Sequence, residues 1–280
     1  MTSEPLPSPS DVGDYYDRLT LLANHALGGN THLGYWPQPH DGSSAGEASD
    51  RLTDFLIEKL HASTGQRVLD IGCGSGRPAV RLARTESVDV VGVTISTVQV
   101  ELATTLAEQE GVADRVRFVH ADAQELPFPD DSFDAVWAIE CLLHMPSTPQ
   151  VLTEVARVLR PGGRFAASDL VAREEKTSTD PAATEWNHIE QFAVPPLTHI
   201  TEYPRMIAES GLQLREFIDI GDDVISPSYA ALRNHAQENF TDYMAAFGLD
   251  EDQLRSAVTH YSQQSAAQGV GYVVVTAIRN

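Results

Sequence analysis

The chain has 280 residues, with 19 Lys and Arg against 40 Asp and Glu, a formal net charge of −21. That balance excludes an unassisted grip on nucleic acid or on an anionic membrane surface, both of which need a basic face. With 42% hydrophobic and 21% charged residues, the chain has a globular composition and can bury a full core without staples. Cys73 and Cys141 are the two cysteines, too few for a disulfide framework and suited to a reducing compartment. No apolar run approaches the ~20 residues of a membrane span, and Met1 to Asp11 is polar and proline-containing, unlike a signal peptide. The expectation is a cytoplasmic protein, monomeric or homodimeric, that acts on a small molecule.

Residues 12–28 read as a helix with Tyr15, Tyr16, Leu19 and Leu22 on one side, stopped by Gly28-Gly29-Asn30. The Gly- and Pro-bounded loop from Asn30 to Pro37 carries Tyr35 and Trp36, aromatics that either plug a core edge or line a pocket. A helix returns from Ala48 to about His61, with Leu52, Phe55, Leu56 and Leu60 at helical spacing. Strands and helices then alternate. Strands are expected at 67–71, 88–93, 116–119, 133–138 and 165–171, with helices at 78–84 and 97–111 and a helix face at Val151, Leu152, Val155 and Leu159. Pro161-Gly162-Gly163 ends that last helix. This alternation predicts an α/β fold, a doubly wound parallel sheet with helices on both faces. Beyond Ala172 the pattern changes: 173–202 is polar and irregular, 203–210 helical, 212–220 a strand, 227–265 helical and 271–278 a strong strand. The simplest architecture is one domain. Its core spans about 48–172 plus 203–226 and 268–280, under a helical lid made of 12–28, 173–202 and 227–265.

Asp70-Ile71-Gly72-Cys73-Gly74-Ser75-Gly76 follows the first strand and opens a helix. In doubly wound sheets, ligands bind at the carboxyl ends of the strands, and glycines there let backbone N–H groups come close. A dinucleotide fingerprint wants a third glycine where Arg77 stands, and no Gly-Lys-Ser/Thr phosphate loop occurs. An acid two residues ahead of G-x-G-x-G suits a ligand without phosphate, Asp70 accepting from an ammonium group while the loop N–H groups face a carboxylate. The competing reading is a plain strand-to-helix turn.

With this loop, Gly92-Val93-Thr94-Ile95-Ser96 and Gln99, the run Ala121 to Phe128, Phe133-Asp134, His144-Met145, Leu159 to Gly163 and Leu33 to Trp36, the chain resembles the class I methyltransferases that use S-adenosylmethionine. It is most similar to the small-molecule branch that includes tocopherol C-methyltransferases, a rebeccamycin sugar O-methyltransferase and a mitomycin N-methyltransferase. The resemblance implies a Rossmann-like methyltransferase sheet and S-adenosyl-L-methionine as cofactor. Asp70, Gly72 and Gly74 would hold its methionine part, and Asp122 with the backbone of Ala123 its adenine. Most class I enzymes end the second strand with an acid for the ribose. Thr94 stands there, so Ile95, Ser96 and Gln99 complete that part of the site. Tyr16 and Trp36 would close over the cofactor, or be core aromatics only.

Methyl transfer from a sulfonium is an in-line displacement helped chiefly by alignment, and a hydroxyl acceptor also gains from a base. The candidate base is His144, after the fourth strand, with Asp169 at the end of the fifth strand to orient it. The sugar O-methyltransferase relatives carry paired histidines here. Leu143 stands in the first place, which makes it a substrate contact and leaves an amine acceptor open. His32, Trp186 and Phe192 are further candidates for the acceptor pocket. The histidine spacing suggests no metal site. The resulting expectation is methyl transfer to an oxygen or nitrogen of a bulky natural product. The alternatives are a C-methyltransferase, or a cyclase of the same fold that keeps the cofactor as a structural part.

Overall fold

The computed structural model describes residues 20, 26–38, 41–173, 197–241, 244, 251 and 269–280. Of the expected N-terminal helix, the described residues Thr20 and Ala26 are helical. Helix α1 (Ala45–Leu60) starts with a capping box in which Ser44 and Glu47 satisfy each other's backbone N–H groups. It buries Leu52, Leu56 and Leu60 completely. The alternating core follows as β1 (Arg67–Ile71), α2 (Arg77–Glu86), β2 (Asp89–Thr94), α3 (Thr97–Gln109), β3 (Val116–His120), β4 (Phe133–Ile139), α4 (Thr148–Val158) and β5 (Leu159–Ala172). Helix α5 (Tyr203–Glu209), β6 (Leu212–Asp219), α6 (Gly221–Glu238) and β7 (Val270–Arg279) complete the described elements.

The seven strands form one sheet in the order β3-β2-β1-β4-β5-β7-β6. Strands β1 to β5 pair in parallel, while β7 runs antiparallel to both β5 and β6. The parallel pairing expected from the alternating segment is what its five strands show, and β7, which lies beyond that segment, adds the antiparallel part. Local periodicity marks a strand and carries nothing about the direction of its partners. Because successive side chains point to opposite faces, Val68 and Val90 join α1 and α2 on one side of the sheet. Leu69 and Val91 join α4 and α5 on the other.

Two boundaries differ from expectation, and one short element is added. Pro161-Gly162-Gly163 lies inside the long strand β5 rather than at a helix end; the helix has already stopped at Val158. Helix α6 begins at Gly221, and buried Val224 and Ile225 dock it onto the core, so the expected lid boundary at 227 falls within a core-packed helix. A single 3-10 turn, Leu142–His144, follows β4. No described helix is long and apolar enough to cross a membrane.

Candidate active site

The strand order reverses between β1 and β4, and a cleft opens there at the carboxyl ends of the strands. Gly72 and Gly74 form part of its wall with φ of 66° and 52°, a region that L side chains rarely occupy. Space also demands glycine: a Cβ on Gly72 would overlap Cys141, and one on Gly74 would overlap the Thr31 hydroxyl. The turn is clamped from outside. The Cys73 N–H donates to Val93 O (3.0 Å), and the Ser75 hydroxyl to Gly29 O (3.0 Å). Arg77, which breaks the dinucleotide pattern, makes a bidentate pair with Asp50 at 2.9 and 2.8 Å, fastening α2 to α1.

Asp70, paired in register with Trp137 of β4, is 2% exposed and lies beneath the glycine turn rather than on the cleft wall. Burial pushes its carboxyl well above the ordinary range, and the neighbouring indole of Trp137 opposes that weakly. The contact closes no well-formed hydrogen bond: Asp70 Oδ2 and Trp137 Nε1 are both buried with no partner among the described residues. A buried acid with one oxygen unpartnered, beneath the glycine turn, fits the amino-acid tail of S-adenosylmethionine.

Thr94, Ile95 and Gln99 line the next stretch of the cleft, and Asp122 and Ala123 its far end. The Thr94 hydroxyl donates to Gln99 Oε1 (2.6 Å), and Gln99 Nε2 donates to Thr20 Oγ1 (3.0 Å), so the N-terminal helix reaches this wall. Asp122 Oδ1 accepts from the Gln124 N–H (2.8 Å). Ser96 is off the wall. Its hydroxyl caps α3 by accepting from the Gln99 N–H (3.0 Å), a helix-cap role in place of the expected ribose contact.

At the other end stand Glu140, Cys141 and His144. The Cys141 thiol donates to Ile71 O (3.0 Å) and the Glu140 N–H to Ser168 O (2.8 Å), fixing the turn to β1 and β5. Glu140 Oε1 accepts from the Leu33 N–H (2.8 Å) and the Tyr272 hydroxyl (2.7 Å). Burial raises its carboxyl to about 7 against the pull of those two donors.

Several expected site residues lie elsewhere. Asp169 is 1% exposed, off the cleft, and accepts from the Leu170 N–H (3.0 Å) and the Tyr203 hydroxyl (3.1 Å) rather than orienting His144. Burial, then the charge of Glu140, push its carboxyl up. His32 is a core histidine, with Nδ1 at 2.8 Å from Leu33 O and Nε2 at 3.1 Å from Thr53 Oγ1. Burial lowers its imidazole to about 4. Trp36 packs against Gly34, where an added Cβ would come within 2.7 Å of the indole. Leu143 packs onto the apolar core. For His32, Trp36 and Asp169 the side chain's volume or hydrogen bonds are taken up by contacts away from the cleft, while Leu143 is partly buried against the core. Tyr16, Trp186 and Phe192 lie outside the described residues.

The methyltransferase domain family matches residues 69–167, a span from β1 into β5. Methyltransferase GfsG of Streptomyces halstedii is 43% identical over 212 residues, 76% of each chain. The 27-O-demethylrifamycin SV methyltransferase of Amycolatopsis mediterranei (strain S699) is 37% identical over 273 residues, 97% of each chain. The crystal structure of the [4+2]-cyclase SpnF superposes with a TM-score of 0.81 at 32% identity, covering 98% of both chains. The glycine turn, the cleft at the strand reversal and these relatives agree: the chain belongs to the class I methyltransferases that depend on S-adenosylmethionine.

Proposed function

We propose that this enzyme methylates a hydroxyl oxygen of a bulky, uncharged natural product. The observation that carries the reading is one continuous cleft with Gly72 and Gly74 in the middle, Asp122 and Ala123 at one end, and Glu140 and His144 at the other. In this reading the methionine part of the cofactor lies along Gly72 and Gly74 above Asp70, the ribose against Thr94 and Gln99, and the adenine against Asp122, Ile95 and Ala123. When bound, S-adenosylmethionine supplies a methyl group on a cationic sulfur, ready for in-line transfer. The protein holds the acceptor oxygen in line and excludes water, which provides most of the acceleration. His144 contacts the acceptor oxygen. No Lys or Arg is among the described residues that line the cleft, which argues against a phosphorylated acceptor. The rifamycin-precursor methyltransferase, similar over 97% of both chains, supports a large oxygen acceptor.

The likeness to SpnF favours a second reading, a cyclase that retains the cofactor. Incubation with S-adenosylmethionine and 27-O-demethylrifamycin SV, followed by mass spectrometry, separates the two. Methyl transfer adds CH₂ to the acceptor and releases S-adenosylhomocysteine. No mass gain and no release of S-adenosylhomocysteine contradict the methyltransferase reading for this acceptor class.

A further inference from the structure

Glu140 leaves β4 with φ of 48°, a left-handed conformation that non-glycine residues adopt mainly where the surroundings enforce it. The enforcement is visible. Its N–H is bonded to β5 through Ser168 O, and Oε1 is gripped by the Leu33 N–H and the Tyr272 hydroxyl. Tyr272 is fully buried in β7, its hydroxyl 2.7 Å from Glu140 Oε1 and 3.0 Å from the Ser168 hydroxyl; the carboxylate can only accept, and the Ser168 hydroxyl can donate to the tyrosine in turn. One carboxylate oxygen is thus pinned, while Oε2 makes no hydrogen bond among the described residues and the side chain lines the cleft beside Cys141 and His144. Asp122, the other acid on the described wall, lies at the opposite end with Oδ1 turned to Gln124. Asp169 is sealed behind Tyr203 and Leu170.

From this geometry we infer that Glu140 is the general base for the acceptor hydroxyl and that Tyr272 is its positioning residue, an assignment that rests on the oxygen-acceptor reading above. As the new C–O bond forms, the sulfur–methyl bond breaks and its electron pair stays on sulfur. The hydroxyl proton passes to Glu140 Oε2. The positive charge lost from sulfur leaves as that proton, and Glu140 returns it to water after product release. The titratable groups around Glu140 are Tyr272 of β7, Asp169 of β5, and Cys141 and His144 of the turn. Burial holds its carboxyl at about 7, close to neutrality, where a base is both available and strong enough to accept.

The test uses Glu140→Gln, Glu140→Asp and Tyr272→Phe in the full chain, with 27-O-demethylrifamycin SV as acceptor probe. Glu140→Gln is expected to slow single turnovers about 100-fold or more, with Glu140→Asp recovering part of the rate. S-adenosylhomocysteine affinity, read by calorimetry, stays within about twofold, since the residue acts on the acceptor. Without acceptor, difference infrared spectra should show a carboxyl band titrating near pH 7 in the wild type and absent from Glu140→Gln. Tyr272→Phe, having lost a donor to the carboxylate, moves that band and the acidic limb of the rate profile to higher pH; a purely structural tyrosine would leave both in place. An active wild type matched by Glu140→Gln within about fivefold overturns the assignment. So does a wild type with no such band, or a tenfold loss of S-adenosylhomocysteine affinity, which is about 1.4 kcal/mol. A wild type that adds no methyl to the probe overturns the oxygen-acceptor reading, and the base with it.

Discussion

Asp70 illustrates how single residues divide between folding and function. A buried carboxylate with one oxygen unpartnered opposes folding, because desolvation penalises its charge. Asp70→Asn removes that charge at nearly constant volume. The melting temperature of the ligand-free protein should rise, by about 2–4 °C if about 1 kcal/mol is relieved, while S-adenosylhomocysteine affinity falls at least about fivefold through loss of a charged acceptor. Scanning calorimetry and ligand titration on the same sample check both signs. His32 works in a second direction. Its folded value, about 4, lies below the unfolded 6.5, so the unfolded chain binds the proton first and stability falls as pH drops from 6.5 towards 4. Between pH 7.5 and 5 this one group should cost about 2 kcal/mol. Urea denaturation of the wild type and of His32→Gln at both pH values isolates it, and an equal loss in both proteins would rule out the burial of His32 as its source. Glu140 and Asp169, raised by burial, oppose this trend over the same window, which is why the difference between the two proteins is the quantity to read.

At the scale of elements, the loop ahead of α1 is a packed part of the core. Gly34 has its N–H 3.1 Å from the Ser228 hydroxyl of α6, and the Trp36 N–H donates to Asp223 O at 2.9 Å. An added Cβ at Gly34 would lie 2.7 Å from the Ala48 Cβ and from the Trp36 ring. Gly34→Ala should therefore destabilise by about 1–3 kcal/mol, seen as a lower urea midpoint at unchanged m-value; an unaltered midpoint would mean that Trp36 is free to move aside. This packing also explains which features could be read in advance. Strand β1 was legible at its stated limits, because a strand covered on both faces is a short unbroken apolar run between turn signals. That Gly72, Gly74, Thr94, Ile95, Gln99, Asp122 and Ala123 share one cleft was legible through their order along the chain. The roles of His32, Trp36, Leu143 and Asp169 were not. Their residue types suit a pocket, and only non-local contacts with Thr53, Gly34, the core and Tyr203 decide otherwise. The 3-10 turn Leu142–His144 is too short to leave a period, and the direction of β7 is a property of its neighbours.

Across the whole molecule, the sheet brings together residues far apart in sequence: Glu140 and Tyr272 meet because β4, β5 and β7 lie side by side, and the loop that carries Leu33 packs onto the same carboxylate. A net charge of −21 favours the approach of a cationic sulfonium cofactor over that of anions. The same cleft runs along the strand reversal, and in the proposed reading the cofactor spans it from the glycine turn to Asp122. The account rests on that placement, and a crystal structure of the protein grown with saturating S-adenosylhomocysteine tests it most directly. The account predicts density for the amino-acid tail along Gly72 and Gly74, the adenine beside Asp122 and Ala123, and the sulfur facing Glu140 and His144. Density for the compound elsewhere, or an empty cleft at saturation, would contradict it.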